Sequence, residues 1–428
     1  MLRVALILAL TVRVLLIAAA YAQRGDAPFV APDSWSYLQG AFSIATDFTF
    51  RGENGSPELF RTPGYPLLLV PAMLLQQPVL VGLALNLLLM VGIILLTHRL
   101  ALRLTNERIA GFCAVAVAIE PTLMTWSMKL MPETLLTCCL LLFAVAVPKH
   151  PLAAAVALCA AAYVKPIVFP LVLVLAVAAL FVRPRFALAC LALLAPWHLR
   201  NYAVAGYGGF STVVERTAYL SAGGAVAADD ANVSHAEMRL RMLPRADGTA
   251  PEQLRREGLA LVAAHPLRYA AIHAKGMART LFDPGAVEYL RMLGIYGEGG
   301  RAFLERSGFL ATARAYPLEV ALSIALAAVL LPLIVLAAAG AVRGWRNPQI
   351  VLLAVLAGYL LVAGGGVHGY HRFRVPAVPF LLLLASSTLR RNDVSGRRSV
   401  PGPRVGGDRD DVSALAGGGA APAACGSQ

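Results

Sequence analysis

Long apolar runs alternate with short polar breaks over most of this chain, which is the spacing of helices that cross a bilayer. A hydrocarbon core of ~30 Å is crossed by about 20 apolar residues in an α-helix. The runs predict ten spans, at approximately 4–21, 79–97, 109–123, 132–147, 151–164, 166–182, 186–200, 317–340, 349–366 and 374–389. Several are short for a crossing, 151–164 above all, and would need tilt or polar caps to fit. Residues 63–77 are apolar too, but they begin at Pro63 and contain Pro66 and Pro71. They read as a re-entrant or surface helix, because a span there would invert all later topology.

The polar breaks orient the spans. With the N-terminus inside, the inside connections carry Arg99, Arg103 and Arg108, then Lys149, Arg183 with Arg185, and Arg343 with Arg346. All are short and basic, as the positive-inside rule requires. Asp26, Asp33, Asp47, Glu53, Glu58, Glu120 and Glu133 fall at or near the opposite face. The expectation is an all-α polytopic protein of the cell's inner (plasma) membrane, with both termini cytoplasmic. A transmembrane domain would occupy 1–390, with a first external loop at 22–78 carrying juxtamembrane helices. Residues 201–316 are too polar to cross and predict a small, partly helical external cap, with a helical stretch from Pro251 to Leu281 broken or kinked at Pro266. The tail 391–428, rich in Gly, Ala, Pro and Arg, is expected to be disordered.

The first helix fits two readings. A basic start, an apolar stretch and a small-residue Ala-Tyr-Ala end describe a signal peptide. Arg13 interrupts the apolar stretch, however, and the next segment makes sense only if tethered at the membrane, which favours a retained helix.

Composition agrees with a membrane protein. Charged residues are 14% of the 428, against roughly 25% in soluble domains, and mean hydropathy is +0.67. The net charge of +13 is spread over inter-helix loops and the tail, so it reports topology and not a nucleic-acid partner. Cys113, Cys138, Cys139, Cys159 and Cys190 lie in apolar runs and Cys425 in the tail, without metal-ligand spacing or an external pair suited to a disulfide.

Against this apolar background, the costly polar residues gather at the external face. They are Asp33, Tyr37, Arg61 and Tyr65 in the first loop, then Trp126, Lys129 and Glu133. Lys165 follows at a helix junction, then Trp197, His198, Arg200 and Asn201 at a helix exit. His368, His371, Arg372 and Arg374 lie between the last two spans. Ionisable groups so placed are functional candidates. A water-facing carboxylate can take a proton from an attacking hydroxyl or amine. Several Arg or Lys side chains can bind a phosphate and stabilise its charge as it leaves. Plainer roles compete: Asp33 and Glu133 are placed to start helices, Arg61 can snorkel to headgroups, and Trp126 and Trp197 suit an interfacial belt. His368 and His371 are three apart with no third ligand nearby, so no metal site is expected.

The order of motifs resembles the GT-C membrane glycosyltransferases, in particular glycosyltransferase family 39 and its aminoarabinose-transferase relatives. It rests on Asp33-Ser-Trp-Ser-Tyr37, Arg61-Thr-Pro-Gly-Tyr65-Pro66, the second acid Glu133, the Pro-Trp-x-x-Arg-Asn-Tyr element of Pro196 to Tyr202, and the Arg-Phe-Arg-x-Pro of Arg372 to Pro376. The resemblance covers residues 1 to about 390. It implies an inverting, metal-independent transfer, without a cofactor, from a polyprenyl-phosphate sugar to a lipid, glycan or protein acceptor. Asp33 would be the base and Glu133 a second catalytic acid. Tyr37, Arg61 and Tyr65 would join the substrate site, and Lys165, Arg200 and Arg372 or Arg374 would hold the donor phosphate. Asp33 lacks the adjacent Glu that many relatives carry. The alternative is a transporter or flippase for a lipid-linked or anionic substrate, which calls for midplane ionisable groups and inverted repeats.

Overall fold

The computed structural model describes residues 1–295 and 300–389, with backbone only for 300–307; the tail expected at 391–428 lies outside the described residues. Among the described residues the protein is all-α, and the one piece of extended pairing is an isolated bridge between Arg51 and Pro57. In chain order the helices are α1 (Leu2–Arg24), α2 (Ser34–Asp47), α3 (Gly64–Leu74), α4 (Pro78–Leu104), α5 (Glu107–Ile119), α6 (Pro121–Ser127), α7 (Glu133–Ala146), α8 (Pro151–Val164), α9 (Phe169–Ala179) and α10 (Pro184–Ala205). The polar segment expected to form a cap supplies α11 (Val213–Arg216), α12 (Gly224–Asp230), α13 (His235–Gly248), α14 (Pro251–Ala264), α15 (Pro266–Phe282), α16 (Ala286–Met292) and α17 (Gly300–Ala315). Then come α18 (Pro317–Arg343), α19 (Pro348–Ala363), a 3-10 turn over His371–Ala377, and α20 (Val378–Ser387).

Each of the ten expected spans coincides with helix, but their lengths differ from the expectation. Among the described residues three helices, α1, α4 and α18, are long and apolar enough to cross a membrane alone. A fourth crossing results if α5 and α6, bent by 54° at Glu120, act as one. The remaining apolar helices are short. At 1.5 Å per residue, the 14 residues of α7 or α8 reach only ~21 Å. Proline is the physical cause. Pro121, Pro151, Pro166, Pro184 and Pro348 each occupy a first helical position, where the missing N–H costs nothing but the preceding turn cannot continue.

The main apolar core runs through α1 to α10 and α18 to α20. Within it, α1 lies along α5 and α4, and the buried Arg13 donates to Ala118 O at 2.7 Å and to Ser127 Oγ at 2.8 Å. α18 meets α20 so closely that a Cβ on Gly340 would stand 1.9 Å from Leu384 O. The cap has a small core of its own around Tyr219, Leu220, Ala246 and Leu254. Pro266 divides its helical stretch into α14 and α15.

Two close approaches matter for the site. A Cβ on Gly64 would lie 2.6 Å from the Tyr163 carbonyl carbon. Glycine there lets the Arg61-to-Pro66 motif press against the end of α8, next to Lys165. A Cβ on Gly276 would lie 1.8 Å from Gly366 O, so α15 seats directly on the loop that leads to Arg372.

Candidate active site

Asp33 begins α2 without capping it. It stands at the N-cap position, yet its side chain accepts nothing from the helix backbone. Its two oxygens go instead to two arginines: Oδ1 to Arg61 Nη2 at 2.9 Å and Oδ2 to Arg372 Nη1 at 2.9 Å. Arg372 also reaches Glu133 Oε1 through Nε at 2.6 Å, and Lys165 Nζ donates to the same oxygen at 2.9 Å. The result is an alternating chain, Arg61–Asp33–Arg372–Glu133–Lys165, drawn from four regions of the sequence. Five local structures deliver it: the α2 start, the Gly64 turn, the α7 start after Pro132, the α8 end at Lys165, and the loop–3-10 turn behind Arg372.

Exposure grades along the chain. The Asp33 side chain is 40% exposed, whereas that of Glu133 is fully buried and that of Arg372 is 8% exposed. Burial pushes the Asp33 carboxyl up, but the charges of Arg61 and Arg372 and their hydrogen bonds outweigh it and hold the group below the usual carboxylate range. Burial likewise works against charge on Arg372, yet Glu133, Tyr370 and Asp33 hold it well above its ordinary value. Lys165 is the exception, because burial lowers its ammonium more than Glu133 restores it. Among the described residues Glu133 Oε2 has no hydrogen-bond partner.

Aromatic rings wall the chain. Arg61 donates to Tyr37 OH at 3.2 Å and to Ser36 Oγ at 3.0 Å, and its guanidinium lies 4.7 Å from the Tyr37 ring centre. Tyr65 is buried and meets Tyr37 edge-on at 5.3 Å. Arg372 sits 5.2 Å from the Trp126 ring, and Lys165 4.8 Å from the Phe373 ring.

Two candidates are not part of the chain. Arg200 donates to Phe50 O at 2.8 Å and Glu58 O at 2.6 Å, which ties the 50–58 loop to α10. Arg374 is almost fully buried and gives Nη1 to Thr280 O, Leu281 O and Asp283 O, each at 2.9 Å. It closes the C-terminal end of α15, where carbonyls have no helical partner. Neither reaches the two carboxylates: apart from one bond from Arg200 to Asn201 Oδ1 at 3.0 Å, these hydrogen bonds of both go to backbone carbonyls. The tryptophans differ from an interfacial belt: Trp126 and Trp197 are 3% and 9% exposed, and Trp197 Nε1 donates to Phe210 O. His371 holds Asp283 Oδ2 at 3.1 Å, while the His368 ring packs 5.2 Å from His235.

Sequence reasoning missed several participants. Ser36 and Tyr370 bind the arginines. Glu288 of α16 pairs with Lys129, itself one of the predicted candidates, whose ammonium is 5.2 Å from the Trp126 ring that Arg372 also contacts. Tyr370 was detectable, since it lies two residues before Arg372 in a polar break between apolar runs. Glu288 gave no signal, being one acid among many in the charged segment 201–316.

No protein-family model matches this chain, and no curated protein does. Among solved structures the chain is similar to the oligosaccharyltransferase AglB of Archaeoglobus fulgidus, determined in complex with an inhibitory peptide and a dolichol-phosphate. Identity is 15% and the TM-score 0.43, over 89% of this chain and 50% of that one. The chain thus spans about half the length of that structure.

Proposed function

We propose that this protein is an integral membrane glycosyltransferase that moves a sugar from a polyprenyl-phosphate carrier to a lipid, glycan or protein acceptor at the external face. In this reading the termini are cytoplasmic, transfer is inverting, and Asp33 is the base. The observation that carries it is the Arg61–Asp33–Arg372–Glu133–Lys165 chain, with a half-open carboxylate at one end and buried cations behind it.

Charge balance supports the donor class. Three cations against two carboxylates leave one surplus positive charge, which matches the single negative charge of a sugar phosphodiester. As the sugar departs, the leaving phosphate gains a second negative charge, and Arg372, Arg61 and Lys165 are the groups that would answer it. At rest Asp33 is a weak base, because both oxygens are held by arginines. A phosphate that draws one guanidinium away frees an oxygen and raises its basicity just as the acceptor must lose a proton. Glu133, sealed from water, takes the role of fixing Arg372 and Lys165. Tyr37 and Tyr65 form the wall beside the reacting centre.

The test is complementation of a deletion strain, read by mass spectrometry of its lipids and glycoproteins. Wild type should restore a lost glycoform; Asp33→Asn, expressed and inserted to the same level, should not. Full restoration by Asp33→Asn would remove the base assignment, and a deletion strain with no lost glycoform would remove the enzyme.

A further inference from the structure

The opposite end of the same helices carries a second feature that glycosyl transfer does not use. α7 starts in the ion chain at Glu133 and ends at Ala146, and α8 returns from Pro151 to Lys165. Between the turn that joins them and the turn joining α9 to α10 lies a groove of about 350 Å³. Lys149, Arg183 and Arg185 line it with Pro151, Pro184 and Val182, and no acidic residue does. Arg183 donates to Val147 O, which ties the two turns together. Lys149 and Arg185 make no ion pair or side-chain hydrogen bond among the described residues. Pro151 and Pro184 are the first residues of α8 and α10, and neither helix has a side-chain cap. Their leading N–H groups add positive potential at the same place.

Beside these charges the surface turns apolar at once. Phe181 is 93% exposed and Val182 80% exposed, next to Arg183. Cations bordering such exposed hydrocarbon match an amphiphile, with an anionic head and an apolar body. The shortness of α7, α8 and α9 strengthens the fit. Helices of 14, 14 and 11 residues draw their ends inside a core of ~30 Å, so headgroups must dip inward to meet them.

We propose that this groove is a binding site for the phosphate-bearing headgroup of an anionic phospholipid, whose chains lie along Phe181 and Val182. The site is independent of the transfer reaction. It is tested with the full chain in nanodiscs of phosphatidylcholine doped with phosphatidylglycerol, followed by native mass spectrometry of retained lipid. Wild type should retain phosphatidylglycerol in preference to phosphatidylcholine. Lys149→Gln/Arg185→Gln, which leaves the Arg183 tether intact, should weaken that preference on the order of tenfold. Arg343→Gln/Arg346→Gln removes the same charge from another basic turn and should keep the preference. Three results would overturn the proposal: unchanged retention by the first double variant, equal loss in the second, or displacement of the lipid by inorganic phosphate alone.

Discussion

The ion pairs of the transmembrane bundle and those of the cap use the same residue types in opposite surroundings. In the cap, Arg241 pairs with Glu237 one helical turn away, with 56% and 50% of the two side chains exposed. Arg268 meets Asp229 and Asp230 in comparable openness. Water solvates such groups whether or not they pair, so each bridge adds little. In the bundle, Arg372 and Glu133 are removed from water, and each relies on the other for compensation. A chain of buried charges is a poor way to stabilise a fold, since packed apolar residues serve as well. Its presence among helix ends that could have been apolar points to chemistry.

The largest effect is expected at Glu133. Glu133→Ala leaves Arg372 and Lys165 buried without a shared partner and should cost about 3–5 kcal/mol, read by unfolding in detergent, together with all transfer activity. A loss under 1 kcal/mol would mean that water reaches the chain.

Asp33→Asn separates chemistry from stability. Transfer should fall by about 10²–10⁴-fold, the range of a lost general base, while insertion and expression persist. Acid titration sharpens this point. Asp33 has a folded-state pKa below its unfolded value, so its stabilisation is present above the ordinary carboxylate range and is lost as pH falls through the depressed value. The difference in melting temperature between wild type and Asp33→Asn should therefore stay constant from neutral pH down to the carboxylate range, then shrink. A difference that grows on acidification would contradict the ion-pair assignment.

Smaller effects are expected at the structural arginine and in the cap. Arg374→Ala strips the end of α15 of its donor to three buried carbonyls and should cost about 1–3 kcal/mol, with the KM for donor changing less than for Arg372→Ala. Arg241→Ala should alter stability by about 0.3–0.5 kcal/mol. If Arg241→Ala and Glu133→Ala cost the same, burial is not what distinguishes the two regions.

Much of the fold was legible because membrane helices announce themselves in one dimension. Hydrophobic runs and the prolines that open them located every apolar helix, and Pro266 marked the break between α14 and α15. What the runs did not convey was how few of them would be long enough to cross alone, since a run of apolar letters passes through helix ends such as that of α9 at Ala179, beyond which Leu180 to Val182 stay apolar. The site was legible in its residue types and less so in their partners. Asp33, Arg61, Glu133, Lys165 and Arg372 were singled out because charge is rare in this chain. Arg200 and Arg374 met the same criterion and went to backbone carbonyls, because the rarity of a charge does not say which way its side chain leaves the helix. Trp126 was misjudged for a related reason: a tryptophan near a helix end suits a lipid interface equally well until the cations on its ring are seen.

The amino-acid sequence by itself determined that this chain is helical and apolar, because hydropathy acts residue by residue against water and lipid. Only the tertiary structure decided that Asp33 and Glu133 share Arg372 although they are a hundred residues apart, and that two arginines of the same motif, Arg372 and Arg374, face different tasks. Those outcomes depend on distances of about 3 Å between groups on separate elements, and such distances are set by how the helices pack, through close approaches such as Gly64 on α8 and Gly276 on Gly366.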